Sequence, residues 1–114
     1  ATTTNFVFPW DGGLVVIDWE RAKITDPAAD TGRVLAEVSH SITRHGGNAE
    51  EARSLSNYLL DAYCQALPRC DDVSLLSERI RFHQATSTLR IARNGWLSRL
   101  ERTALVAQAM ALLT

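Results

Sequence analysis

The fold is decided by residues 5–18, which read NFVFPWDGGLVVID. Two short runs rich in β-branched and aromatic residues flank a turn that contains Pro9 and the pair Gly12-Gly13. Proline presets φ for a turn and glycine permits positive φ, so this arrangement predicts a β-hairpin. The rest of the chain carries helical patterns and can be placed relative to this hairpin.

The register of the hairpin depends on where its turn is centred. A turn centred on residues 11–12 pairs Phe6 with Ile17 and Asn5 with Asp18. Directly paired Cβ atoms lie about 4.5–5.5 Å apart. An Asn carbonyl and an Asp carboxylate at that distance suit one hard metal ion. The plainer interpretation is that Asn5 begins a strand and Asp18 caps a turn.

After Glu20 the pattern becomes helical. The third helix is expected to run to about Asn94 with Gly95 as its C-cap, and to be central because apolar residues cover more than one of its faces. Those residues form two rows: Leu76, Ile80 and His83; Leu75, Phe82 and Leu89. The first helix is predicted to start at Asp26, before Pro27, and to end at Gly46-Gly47. The second starts at Asn48 with Glu51 and ends at Pro68. The third starts at Asp71 or Asp72, and the last starts at Ser98 with Glu101.

These elements predict a mainly α fold with a short N-terminal β-hairpin, in the α+β class. We expect residues 1–114 to form a single partial domain, with the metal-binding hairpin in residues 1–20 and about four helices in residues 26–114. A two-stranded hairpin is marginal alone, so it must pack on these helices or on another part of the protein. The chain begins with Ala1 rather than Met, and we expect it to begin inside a larger protein.

Composition narrows the class of protein. The net charge of -1 gives no reason to expect nucleic acid or an anionic membrane as partner. No apolar run approaches the roughly 18 residues of a transmembrane helix. Cys64 and Cys70 lack zinc-site spacing and are interpreted as thiols in a reducing cytoplasm, although a disulfide stays possible. A cytoplasmic protein is therefore expected.

The first third of the chain resembles the aminoglycoside phosphotransferase and choline kinase-like family, which shares the protein-kinase fold. In that family a His-Gly-Asp-x-x-x-x-Asn loop precedes a hairpin that ends in Ile-Asp-Trp/Phe-Glu, and Asp-Pro-x-x-Asp follows. Here residues 1–4 occupy the x positions and Asn5 is the closing Asn. Residues 17–20 and 26–30 match the two later motifs.

The resemblance implies roles for individual residues. The catalytic Asp would lie just before Ala1, outside the chain. Asn5 and Asp18 would hold Mg²⁺ and, through it, ATP. Asp30 would hydrogen-bond the backbone of the catalytic loop. Its plainer interpretation is an exposed first-turn Asp that the helix dipole favours, and the sequence leaves both open.

The implied function is that of the helical C-terminal lobe of an ATP-dependent phosphotransferase. Its acceptor would be a hydroxyl of a small molecule: an aminoglycoside, a choline-like compound or a sugar-like compound. The fragment alone is expected to be inactive, to need the missing N-terminal part, and to self-associate through exposed apolar surface. The alternative is a non-catalytic helical binding or scaffold module, because no catalytic base is recognised within the chain.

The remaining conspicuous side chains receive structural interpretations. His83 is expected to be a hydrogen-bonded core residue on a packed helix face. The tryptophans are expected to anchor packing, and the arginines of the last two helices to form a salt-bridged surface. These residues are Trp10, Trp19 and Trp96, and Arg79, Arg81, Arg90, Arg93, Arg99 and Arg102.

Overall fold

The computed structural model describes residues 2–18, 20, 22–67 and 73–114. It is mainly helical with one short antiparallel hairpin near the N-terminus, as the sequence predicts. A single 3-10 turn at Thr3–Asn5 precedes the hairpin. The elements are β1 (Phe6–Val7), β2 (Val15–Val16), α1 (Pro27–Arg44), α2 (Ala49–Ala66), α3 (Val73–Ala92) and α4 (Arg99–Leu113).

The hairpin register differs by one residue from the predicted one. Phe6 pairs with Val16 rather than with Ile17. Ile17 donates its backbone N–H to the carbonyl of Asn5 at 2.9 Å, so Asn5 lies opposite Ile17 and not opposite Asp18. The cause lies in the loop, where Gly12 N–H donates to the carbonyl of Pro9 at 3.1 Å. This turn closes one residue earlier than predicted, and a one-residue shift changes every pairing.

The predicted helix starts are confirmed where the structure describes them. The Asp26 carboxylate accepts from Ala28 N–H at 3.0 Å, with Pro27 at the first helical position of α1. Two capping boxes start α2 and α4, Asn48 with Glu51 and Ser98 with Glu101. Each box satisfies backbone N–H groups that a helix start leaves unpaired. The predicted signals at Pro68, Asp71 and Asp72 lie outside the described residues.

α3 lies between α1 and α4, as expected for a central helix. One cluster joins Leu35 of α1 to Leu76 and Ile80 of α3, with partly buried α2 side chains against it. A second cluster joins Ala36 of α1 to Ile91 and to side chains of α4 and the turn before it. The two clusters together hold α1, α3 and α4 in one helical layer.

Two features of α3 refine the prediction. The helix ends at Ala92, two residues before the predicted end near Asn94, and the N–H groups of Arg93 and Asn94 donate to carbonyls three residues earlier. The second apolar row is exposed, since α1 and α4 cover two faces of α3 and leave the third to solvent. The row consists of Leu75, Phe82 and Leu89.

The tryptophans and His83 are less buried than the sequence predicts, where the structure describes them. Trp10 is fully exposed in the hairpin loop and anchors no packing. Trp96 is half exposed, and Trp19 lies outside the described residues. His83 is half buried, with Nε2 3.7 Å from an Asp26 oxygen, so it is no core residue. None of the helices in the described part of the chain is long and apolar enough to cross a membrane.

Candidate functional site

The segment before the hairpin is fixed on α1 by a carboxylate. Glu37 Oε2 accepts from the backbone N–H of Thr3 at 2.7 Å and from its hydroxyl at 3.0 Å. Asn5 N–H then donates to the carbonyl of Thr2 at 3.0 Å, which closes the turn. Residues 2–5 are therefore attached to the helical layer at one polar point.

Asn5 and Asp18 lie on adjacent arms of the hairpin, offset by one position. The carbonyl of Asn5 accepts from Ile17 N–H, so Asp18 is the next residue along the opposite arm. Asp18 has φ 67°, a left-handed conformation that is uncommon outside glycine and often occurs at functional sites. The structure therefore brings both predicted ligand residues to the open end of the hairpin, although not as a direct pair.

A second carboxyl group accompanies Asp18. The carboxylate of Asp18 accepts a side-chain hydrogen bond from Glu20, and this hydrogen bond together with the negative charge of Asp18 raises the pKa of Glu20 above its ordinary value. Both groups are exposed, so solvent moderates the effect. Two neighbouring carboxyl groups offer oxygen ligands that a divalent cation binds well.

The described part of the chain holds no larger cluster of metal-ligating side chains. Among residues 2–18, 20, 22–67 and 73–114, no group of three or more His, Cys, Asp or Glu side chains could hold a metal ion. A site here has only one or two carboxylates and the Asn5 amide oxygen. Such a sparse oxygen set suits Mg²⁺, which keeps water and phosphate as its other ligands, better than it suits zinc.

A cavity of about 640 Å³ opens beside the N-terminal segment. Thr2, Thr3 and Thr4 form one wall, and α1 and the end of α3 form the others. Its charged lining consists of Arg44, Arg90 and Glu37, so guanidinium groups outnumber carboxylates. The cavity is large enough for a small organic ligand.

One corner of this cavity is built around Trp96. The guanidinium carbon of Arg44 lies 4.3 Å from the centre of the indole ring, a cation–π contact. His40 lies 6.1 Å from the same ring, measured between ring centroids. Its Nε2 is buried without a hydrogen-bond partner, and burial lowers the pKa of His40. The imidazole is therefore held neutral in this corner.

The model of the phosphotransferase enzyme family, APH, matches residues 1–73 of this 114-residue chain. The chain belongs to this phosphotransferase family. The match includes the N-terminal segment and the hairpin, which carry the candidate ligands, together with α1 and α2. No curated protein and no solved structure gave a match to the chain.

Asp30 lies away from Asn5 and Asp18, the two candidate ligands of the hairpin. It lies exposed in the first turn of α1, beside a smaller concavity of about 440 Å³ that Lys23 and Arg33 also line. Asp30 does interact with neighbouring groups. Its role in supporting the loop stays a prediction.

Glu37, which contacts the N-terminal segment, is not among the residues predicted from the sequence. Glu37 is seven residues after Asp30, two turns further along the same face of α1. That spacing was the available signal. The expected salt-bridged surface is present in part, because Arg90 pairs with Glu37 at 3.3 Å and Arg79 with Asp26 at 3.2 Å.

Proposed function

We propose that this chain supplies the metal-holding hairpin and the acceptor-binding side of an enzyme that transfers a phosphoryl group from ATP to a small-molecule hydroxyl. The observation that carries the proposal is the family match over residues 1–73, the region in which Asn5 and Asp18 lie on adjacent arms at the hairpin end. Phosphoryl transfer depends mostly on positioning and charge stabilisation, and the hairpin offers groups for both.

In this proposal Asn5 and Asp18 hold Mg²⁺, with Glu20 beside them. The donor set fits, because hard oxygen atoms are what Mg²⁺ prefers and one or two protein ligands are usual. When bound, Mg²⁺ would neutralise negative charge on the ATP phosphates. The proton acceptor is proposed to be the aspartate expected before Ala1 in the intact enzyme. ATP as donor favours a cytoplasmic enzyme.

The acceptor is proposed to bind in the 640 Å³ cavity beside Thr2–Thr4. Two guanidinium groups and one carboxylate line it while His40 stays neutral, so the lining favours an uncharged or anionic ligand over a polycation. Arg44 already covers the Trp96 ring, which is the surface that a quaternary ammonium would need. A sugar-like acceptor therefore suits this cavity better than an aminoglycoside or choline.

The hairpin surface is proposed to bind the nucleotide-binding part of the same enzyme. Phe8 and Trp10 are strongly exposed, and four further apolar residues of the hairpin are exposed as well. Apolar surface of this extent marks interaction sites. Without that part, the 114-residue chain is expected to be inactive and to self-associate. The four further exposed apolar residues of the hairpin are Val7, Leu14, Val15 and Ile17.

The proposal is tested on the intact enzyme with an acceptor panel and ATP consumption as readout. The panel contains neutral sugars, sugar acids, aminoglycosides and amino-alcohols. Asp18→Ala should abolish acceptor-dependent turnover with the fold intact, whereas Asp61→Ala, an exposed carboxylate on α2, should leave it unchanged. Full turnover by the Asp18→Ala enzyme would refute the metal-holding role of Asp18, and a lack of acceptor-dependent turnover by the unaltered enzyme would refute the enzymatic function and favour a scaffold. Preference for polycations would refute the proposed acceptor class.

A further inference from the structure

The N-terminal turn of this chain is held by polar contacts and has no buried anchor. None of the three residues Thr3–Asn5 is buried. Thr3 connects α1 to the hairpin. Its N–H and hydroxyl donate to Glu37 of α1, and its carbonyl accepts from the N–H of Phe6 at the start of the hairpin. Whatever fixes Thr3 on α1 therefore also fixes the start of the hairpin.

Glu37 is itself held from two directions. Its side chain is only 18% exposed. Oε1 lies 3.3 Å from an Arg90 nitrogen of α3 and 3.8 Å from Arg33 Nε, one turn earlier on α1. These guanidinium groups leave Oε2 free to accept from Thr3, and a charged acceptor makes a stronger hydrogen bond than a neutral one.

We propose that Glu37 is a positioning residue that fixes the Thr3–Asn5 turn on α1 and thereby sets the place of Asn5 opposite Ile17. Asn5 lies two residues beyond the attachment point and contacts the other hairpin arm through its carbonyl. Loss of the Glu37 contact would release the turn, because no apolar burial replaces it. That this placement serves a metal ion rests on the proposed function.

The first test measures hydrogen exchange of the Thr3 and Ile17 amides in the 114-residue chain by NMR. Glu37→Ala should accelerate exchange of both amides by about tenfold or more. The Thr3 amide loses its acceptor, and the Asn5 carbonyl that accepts from the Ile17 amide is no longer held in place. Glu37→Gln retains an oxygen acceptor and should restore slow exchange at both. Unchanged exchange in Glu37→Ala, or acceleration at Thr3 alone, would overturn the proposal.

Glu51→Ala is the matched control. Glu51 also accepts from a backbone N–H, that of Asn48 at 2.9 Å, but it does so at the start of α2. Its removal should leave the Thr3 and Ile17 amides as in the unaltered chain. Equal acceleration in Glu51→Ala would mean that general destabilisation causes the effect, and this would count against Glu37 as a specific positioning residue.

The second test measures Mn²⁺ binding to the same variants, with Mn²⁺ as a probe for the Mg²⁺ site. Glu37→Ala should weaken Mn²⁺ binding about tenfold, which is the smallest effect usually seen when a residue that orients a metal ligand is removed. Glu37→Gln should restore Mn²⁺ binding. Unchanged Mn²⁺ affinity in Glu37→Ala would overturn the positioning role. Equal binding by the unaltered chain and Asp18→Ala would instead overturn the proposed function, and the amide exchange would still decide the role of Glu37.

Discussion

Gly32 of α1 lies directly against the backbone of Gln84 in α3. A Cβ atom at position 32 would be 2.7 Å from the Gln84 nitrogen and equally close to the carbonyl oxygen of Ile80. Such contacts are with backbone and cannot be relieved by turning a side chain. The close approach of α1 and α3 at this point therefore depends on the absence of a side chain at position 32.

Gly32→Ala should destabilise the chain by about 1–3 kcal/mol, the usual cost of inserting a methyl group into a packed interface. Urea unfolding followed by circular dichroism measures this loss. Gly95→Ala is the control, because a Cβ there meets no atom within 4 Å and should change stability by less than about 0.5 kcal/mol. A Gly32→Ala chain as stable as Gly95→Ala would contradict this packing.

Asp26 should stabilise the chain chiefly as a helix cap. Asn caps helices as well as Asp does, so Asp26→Asn should retain most of the stability while Asp26→Ala should lower the melting temperature by several degrees. Thermal unfolding of the two variants separates the cap from the ion pair with Arg79 at 3.2 Å. An Asp26→Asn variant as unstable as Asp26→Ala would assign the effect to the ion pair.

The same residue predicts a response to acid. The hydrogen bond from Ala28 N–H, and then Arg79 and His83, hold the pKa of Asp26 below its ordinary value of 3.8. A carboxyl whose pKa is depressed by folding stabilises the folded state above the unfolded pKa and ceases to do so as pH falls through the folded pKa. Any stability advantage over Asp26→Asn should therefore be constant at neutral pH, begin to decrease near pH 3.8 and be lost as pH falls through the lower pKa of the folded state. An advantage that decreases already between neutral pH and about pH 5 would contradict this assignment.

His40 should make the chain sensitive to mild acid. Burial, and then the charge of Arg44, lower the pKa of His40 below its ordinary value of 6.5, against an opposing effect of Glu101 on α4. The unfolded chain binds this proton more readily, so stability should decrease as pH falls below 6.5. His40→Phe should remove that dependence in denaturant titrations between neutral and mildly acidic pH. The exposed His45, replaced by Ala, serves as control and should preserve it.

Arg44 should contribute to acceptor selection in the intact enzyme. It belongs to the positive lining of the cavity, and a lost charged contact weakens binding about tenfold or more. Arg44→Ala should raise the KM for a sugar acid by that factor and leave the KM for ATP unchanged. Steady-state kinetics with both substrates measures the two values. Equal changes in both would indicate a general structural defect.

The exposed hairpin should make the isolated chain self-associate. Sedimentation velocity should show association that decreases in the double variant Phe8→Ser, Trp10→Ser, because these side chains supply much of the exposed apolar surface. Tyr58→Ser removes an aromatic residue that is 69% exposed on α2 and should have little effect. A chain that stays monomeric, or an equal effect of Tyr58→Ser, would contradict a docking surface on the hairpin.

Much of this fold follows from local sequence. Asp26 with Pro27, Asn48 with Glu51, and Ser98 with Glu101 each determine a helix start, because a cap requires only residues within one turn. The family resemblance likewise depended on short contiguous motifs in the first third of the chain. The family match covers those motifs.

Tertiary structure decided what depends on contacts between distant residues. The hairpin register shifted by one residue because the turn closes between Pro9 and Gly12, and so Asn5 and Asp18 are offset instead of paired. The role of Glu37 in holding the N-terminal turn depends on the tertiary structure, because α1 places its carboxylate against Thr3, which is distant in the sequence. Local capping is encoded by neighbouring side chains, whereas register and long-range hydrogen bonds depend on how the complete helical layer packs.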